Sequence, residues 1–145
     1  MNTGIRKLLE GVSDGTVSVD DAFLKLKTKP FEDIGYAKVD MHRELRQGTA
    51  EVIYGAGKSA EQIIGIAKTM LKNGQNTILI TRLSADAAEE VGKSHPLDYY
   101  KDARCGVIGQ MPLPDGIGKI VVATGGTSDI PVAEEAALTA MVLGS

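Results

Sequence analysis

Six neighbouring residues near the C-terminal end have the types needed to hold a phosphate: Thr124, Gly125, Gly126, Thr127, Ser128 and Asp129. Glycines let a backbone come close to an anion, hydroxyls donate to it, and a carboxylate accepts from a sugar hydroxyl. They stand between a β-branched apolar run, Ile120 to Ala123, and an alanine-rich segment that holds Pro131, Glu134 and Glu135. The run predicts a strand buried on both faces, and the segment predicts a helix. Strand, Gly-rich turn and helix N-terminus together present backbone N–H groups, and roughly half a positive charge, to a phosphate. A plainer reading makes the loop a tight turn, with Ser128 and Asp129 as helix caps. The spacing alone supports the two readings about equally.

Two weaker candidates precede it. Met41 to Arg46 could form one or two helical turns, which would set His42 and Arg46 on one face with Arg43 beside them. Such a cluster suits a phosphate or carboxylate, but the reading that the sequence favours is a solvated basic face with a partly buried histidine. Gly57-Lys58-Ser59 follows a strand pattern, yet it is no phosphate loop of the Walker type, because position 52 is valine where that motif needs glycine. Lys58 could assist an anion there or simply lie on a β-to-α turn. Two distant histidines and one cysteine make no zinc site. Cys105, in an apolar strand context, reads as a buried inert thiol rather than a nucleophile.

The elements that must position these residues follow from periodicity. Ile5, Leu8, Leu9 and Val12 have helical spacing up to the Ser13-Asp-Gly15 turn. Ser18-Val-Asp-Asp21 resembles a capping box, and Val19, Ala22, Phe23 and Leu26 put one apolar stripe on the helix after it. Pro30 ends that helix. Residues 34–40 read as extended. Glu51 to Tyr54 and Asn76 to Thr81 read as strands, with a helix between them that Ser59-Ala-Glu-Gln62 caps and Asn73-Gly74 closes. Ser84 caps a further helix, Ala85 to about Lys93, and Cys105 to Ile108 is the next strand. This β-α-β-α-β order predicts an α/β domain with a small, mostly parallel sheet.

With 145 residues, 43% of them hydrophobic and 24% charged, the chain falls among globular proteins with a real core. A formal charge of −3 argues against nucleic acid or an anionic membrane as the main partner. No apolar run approaches the roughly 20 residues that span a bilayer. The N-terminus lacks the apolar core of a signal peptide, so the expected location is the cytoplasm.

Met111-Pro-Leu-Pro-Asp-Gly-Ile-Gly118 reads as a linker. The expected organisation is therefore a domain over 1–110, a linker over 111–118, and one strand and one helix over 119–145. That last helix is apolar almost all round and needs burial on more than one side. The expectation is that the polypeptide stops inside a larger α/β domain.

Thr124-Gly-Gly-Thr-Ser-Asp-Ile-Pro-Val-Ala-Glu-Glu-Ala-Ala-Leu-Thr139 resembles the opening of the catalytic domain of the LarB family. Lys38 to Gly48, Glu51 to Lys58 and Thr81-Arg-Leu-Ser84 resemble motifs of that family's N-terminal region. The resemblance thus covers nearly the whole chain, with four segments in order. It implies an N-terminal α/β domain followed by the first βα unit of a PurE-like, flavodoxin-type parallel domain that continues in the family beyond these residues.

It also implies an activity. LarB proteins carboxylate the pyridinium ring of nicotinic acid adenine dinucleotide with carbon dioxide or bicarbonate, then cleave the phosphoanhydride to release AMP. The product is the precursor of the nickel-pincer cofactor of lactate racemase. A cysteine thought to add to the ring splits one hard step into easier ones. In the family that cysteine lies in the later part of the catalytic domain, so Cys105 does not take its role. The resemblance gives Gly125, Gly126, Thr127, Ser128 and Asp129 contacts to the substrate's phosphate and ribose, and leaves Arg43, Arg46 and Lys58 as candidate anion ligands. It brings no resident cofactor or protein-held metal, leaves open a role for Mg2+ in the diphosphate chemistry, and implies a homo-oligomer, octameric as in PurE-like enzymes. The chain alone is expected to be inactive. Two other readings stand beside this one: a non-catalytic nucleotide-binding or assembly module, and a PurE-type reaction on an aminoimidazole ribonucleotide.

Overall fold

A computed structural model describes residues 3–27, 31–40, 43, 51–114, 116 and 118–144. The chain divides into two compact units, Met1–Glu51 and Val52–Ser145.

The first unit begins with two helices, α1 (Thr3–Ser13) and α2 (Val19–Lys27), which pack on one another. Their turn is tight. A Cβ on Gly11 would stand 2.8 Å from Val17 Cγ2. The Asp14 carboxylate accepts from both the backbone N–H and the hydroxyl of Thr16. Ser18 caps α2 as its sequence predicts, its hydroxyl oxygen accepting from the Asp21 N–H at 3.0 Å and its hydroxyl donating to the Asp21 carboxylate at 2.6 Å. The apolar stripe of α2 is covered at Ala22 alone, and Val19, Phe23 and Leu26 remain exposed. Two short helices meet along one line, which is narrower than the stripe. Strands β1 (Phe31–Asp33) and β2 (Lys38–Asp40) form an antiparallel hairpin. Residues 34–37, expected to be extended, are instead its turn, with the Ile34 N–H donating to the Ala37 carbonyl. Of the expected helical turn at 41–46 only Arg43 is described; His42 and Arg46 lie outside the described residues.

The second unit holds β3 (Ile53–Tyr54), α3 (Ala60–Lys72), β4 (Ile78–Thr81), α4 (Ala85–Ser94), β5 (Leu97–Tyr100), β6 (Cys105–Ile108) and α5 (Ile130–Val142). The capping box of α3 forms in full: the Gln62 N–H donates to Ser59 Oγ, and the Ser59 N–H donates to the Gln62 side chain. Ser84 caps α4 through the Ala87 N–H. The strand order is β3-β4-β6-β5.

This α/β unit departs from the sequence reading in two places. The sheet is mixed rather than mostly parallel: β3 and β4 run parallel, joined by α3, whereas β6 is antiparallel to both β4 and β5. The cause is β5, which periodicity did not reveal. Four residues between β5 and β6 suffice for a hairpin but are far too few for a parallel crossover. Second, Ile120 to Ala123 is not a strand. Ile120, Val121 and Val122 are 63%, 85% and 40% exposed. A strand buried on both faces requires neighbouring strands and covering helices. The four-stranded sheet ends at β3 and β5, and no described strand pairs with residues 120–123.

The core centres on β6, all four of whose residues are buried. Cys105 and Val107 pack with Leu79 of β4, Ala103 and Leu138 of α5. On the helices that join and follow the parallel strands, Ile63, Ile66, Ala67 and Met70 of α3 and Ala88 and Val91 of α4 are buried. One backbone contact is especially tight. Gly109, at the end of β6, has φ +92°, and a Cβ there would lie 1.9 Å from the Asn76 carbonyl oxygen. Gly109→Ala therefore combines left-handed strain with a backbone clash, and is expected to destabilise the chain by about 2–5 kcal/mol. Urea unfolding of the variant beside wild type checks this.

Candidate functional site

Residues 127–129 form one 3₁₀ turn that runs directly into α5, so Gly125, Gly126, Thr127, Ser128 and Asp129 stand together, exposed, at the N-terminal end of that helix. The Asp129 N–H donates to the Gly126 carbonyl at 3.2 Å. Asp129 precedes the helix with φ −94° and ψ −8°, already close to helical, and its carboxylate makes no cap hydrogen bond. A capping side chain reaches forward from extended backbone. Capping is thus not what occupies Asp129, which is exposed. Pro131 in the first turn costs the helix nothing, since an N–H at that position has no intrahelical partner.

The weaker candidates are engaged elsewhere. Lys58 folds back, its Nζ donating to the Tyr54 carbonyl at 2.7 Å and lying 5.9 Å from the centre of the Tyr54 ring. Arg43 Nη1 pairs with Glu51 Oε1 at 3.1 Å. Arg46 lies outside the described residues. Arg43 and Lys58 belong to different units, and neither is part of the loop at 125–129. Among the described residues no three His, Cys, Asp or Glu side chains gather as a metal site would require.

A contact that residue spacing did not reveal joins the loop after β4 to α5. Arg82 Nε lies 3.0 Å from Glu135 Oε2. Arg82 takes the left-handed region, φ 54°, and Arg104 does the same at φ 51°. Both are uncommon for a residue with a Cβ. The bonds around them explain how they hold. The Gly55 N–H donates to the Thr81 carbonyl at 2.7 Å, the Leu83 N–H donates to the Arg104 carbonyl at 2.7 Å, and the Tyr99 hydroxyl donates to the Leu83 carbonyl at 3.0 Å. A Cβ on Gly55 would stand 2.9 Å from the Thr81 carbonyl oxygen, so the close approach of the two loops needs glycine there. Three anchors from three elements thus pin the residues on either side of Arg82. Along α5, Glu134, Leu138 and Met141 face the turn Tyr100–Ala103 across a groove of about 270 Å³.

Beneath the ion pair lies Cys105, fully buried, its thiol donating to the Ala103 carbonyl at 3.3 Å. Burial raises its pKa above the ordinary value of 9.0, and the negative charge of Glu135 adds to the rise; the Arg82 backbone N–H and positive charge oppose it. An inert thiol is what the sequence predicts. Because the folded-state pKa exceeds the unfolded one, the neutral thiol's contribution is fully present below the unfolded value and is lost as pH rises through the folded one. The native chain is therefore expected to react slowly with a thiol reagent at about pH 8, and to react at the rate of a model thiol once unfolded in urea. Stability is expected to fall as pH climbs above the ordinary thiol value of 9.0. Reagent kinetics, and unfolding curves taken on either side of that value, check both.

With this geometry in view, two comparisons place the chain. Residues 31–110 match the family model described as the LarB/PurE-like N-terminal domain, which is more than half of the chain. The chain is also 34% identical over 151 aligned residues to an uncharacterized protein of Methanocaldococcus jannaschii. That alignment covers 99% of the chain and 59% of the relative's length. The matched segment runs through β1, β2 and the whole four-stranded sheet, so it contains the strands and turns that hold Arg82, Arg104 and Cys105 in place. The chain belongs to the LarB/PurE-like N-terminal domain family.

Proposed function

We propose that the protein of which this chain forms part is a LarB-type carboxylase and phosphoanhydride hydrolase. It takes nicotinic acid adenine dinucleotide and carbon dioxide to pyridinium-3,5-biscarboxylic acid mononucleotide and AMP, for the nickel-pincer cofactor of lactate racemase. The observation that carries this reading is the family match over 31–110, followed in the same chain by the loop and helix from Thr124 to Thr139 that resemble the opening of the LarB catalytic domain. In this reading residues 1–110 are the N-terminal domain, 111–118 a linker, and 119–145 the start of the catalytic domain.

The site's chemistry fits the substrate in kind. Exposed N–H groups at a glycine-rich turn and the positive end of a helix favour a phosphate, and the uncapped Asp129 carboxylate favours a ribose hydroxyl. Carboxylation of an electron-poor pyridinium carbon needs a nucleophile that first adds to the ring, and Cys105 is unsuited to it, being buried and protonated. The nucleophile is therefore assigned to the region that the chain does not share with the full length of its relative. A homo-oligomer belongs to the same reading.

The test uses labelled bicarbonate and nicotinic acid adenine dinucleotide with two proteins, this chain and a version extended to the relative's full length. Label is expected in the pyridine product, with release of AMP, from the longer protein alone. Label from the 145-residue chain would contradict the assignment of the nucleophile. No label from either, with turnover of an aminoimidazole ribonucleotide, would replace this activity by a PurE-type one.

A further inference from the structure

We infer that Arg82 is a positioning residue for the loop at 125–129: by holding Glu135, it sets the N-terminal turns of α5 on the sheet and thereby sets where the loop presents its N–H groups. The loop's role as a nucleotide cradle rests on the function proposed above; the docking itself does not.

The argument begins with what else holds α5. The helix is apolar nearly all round, yet among its described residues Leu138 alone is buried, with Val142 packed part-way against the same cluster. Both lie in its C-terminal half. The Gly144 carbonyl accepts from the Gly116 N–H, which again ties down the C-terminal end. At the N-terminal end Ile130 and Val132 are exposed, and the backbone bonds of the 3₁₀ turn before them are local, from the Asp129 N–H to the Gly126 carbonyl and from the Ile130 N–H to the Thr127 carbonyl. Apolar packing therefore fixes one end of α5 and leaves the functional end to another interaction. The ion pair of Arg82 with Glu135, one turn in from Pro131, ties that end to the loop that leaves β4.

The partner is built to be rigid. Arg82 is held left-handed between Thr81 and Leu83, whose backbone groups bond to Gly55, Arg104 and Tyr99. A guanidinium on a fixed backbone loses less freedom when it pairs, so the pair contributes more than a mobile surface pair does. Glu135 is mostly shielded from water while Arg82 is nearly half-exposed. Loss of the guanidinium leaves a carboxylate near a buried thiol with no charge to balance it. The expected response is withdrawal of the helix end.

Arg82→Gly is the informative variant, because glycine accepts the left-handed backbone while the whole side chain, guanidinium included, is removed. Amide hydrogen exchange is measured on the full 145-residue chain for wild type, Arg82→Gly, Glu135→Gln, Arg82→Lys and the exchanged pair Arg82→Glu with Glu135→Arg. Arg82→Gly and Glu135→Gln are expected to speed exchange at the amides from Val132 to Leu138 by about five- to tenfold, with Ile63 to Met70 in α3 unchanged. Arg82→Lys and the exchanged pair are expected to restore part of the protection. A general loss of stability would move α3 as well and would not be rescued by charge exchange. Titration of nicotinic acid adenine dinucleotide, read by calorimetry, is expected to show weaker binding in the two variants that free the helix.

Unchanged exchange in α5 overturns the inference. So does faster exchange with unaltered binding, because the helix end would then be free without consequence for the loop. Failure of wild type to bind the dinucleotide counts against the proposed function instead, and the exchange arm still decides the docking.

Discussion

The antiparallel pairing of β6 with β4 and β5 is the constraint on which the rest of the second unit depends. Strand β6 is buried along its whole length, and it is enclosed so closely that a Cβ on Gly106 would lie 2.7 Å from Leu97 Cδ1 and 2.8 Å from Leu83 Cδ2. Its alternate residues Cys105 and Val107 form the floor on which Leu138 packs. Shift β6 by one residue and this floor would turn to the other face, since side chains alternate with period two. The positions of α5 and of the turns on either side of β6 all follow from that one register.

Two left-handed arginines flank this arrangement. Arg104 turns the chain into β6 and Arg82 turns it out of β4, and the carbonyl of the first accepts from the residue after the second. Each conformation alone costs of the order of 1 kcal/mol. They persist because the surrounding hydrogen bonds determine the backbone on both sides. The result is a stiff platform at the end of β4 that carries a positive charge toward α5. At the start of that helix the loop at 125–129 is exposed, ahead of the part of the helix that Leu138 packs on the sheet.

Features set by neighbours in sequence were legible without a structure. Ser59 with Gln62 and Ser84 with the Ala87 N–H form as spacing predicts, because a cap needs only residues three apart. The turn at Asn73-Gly74 is likewise local, with Gly74 at φ +92°. Burial of Cys105 could be read from its apolar flanks. Strand β5 could not: Leu97 and Tyr99 are half-buried, Asp98 and Tyr100 are exposed, and so short an edge strand beside Pro96 carries little pattern.

Residue type and short spacing were enough for the helices, the caps at Ser18, Ser59 and Ser84, the α/β class, the family and the composition of the exposed loop from Gly125 to Asp129, though not for a cap by Asp129, which does not form. Tertiary structure decided the rest. It reversed β6 relative to β4, because four residues after β5 allow only a hairpin. It left Ile120 to Val122 exposed, because residue type confers the capacity to be a strand and only a neighbouring strand realises it. It brought Arg82 to Glu135 across a separation of 53 positions, which no periodicity records. Contacts of that range are set by register and packing, and those exist only once the chain has folded.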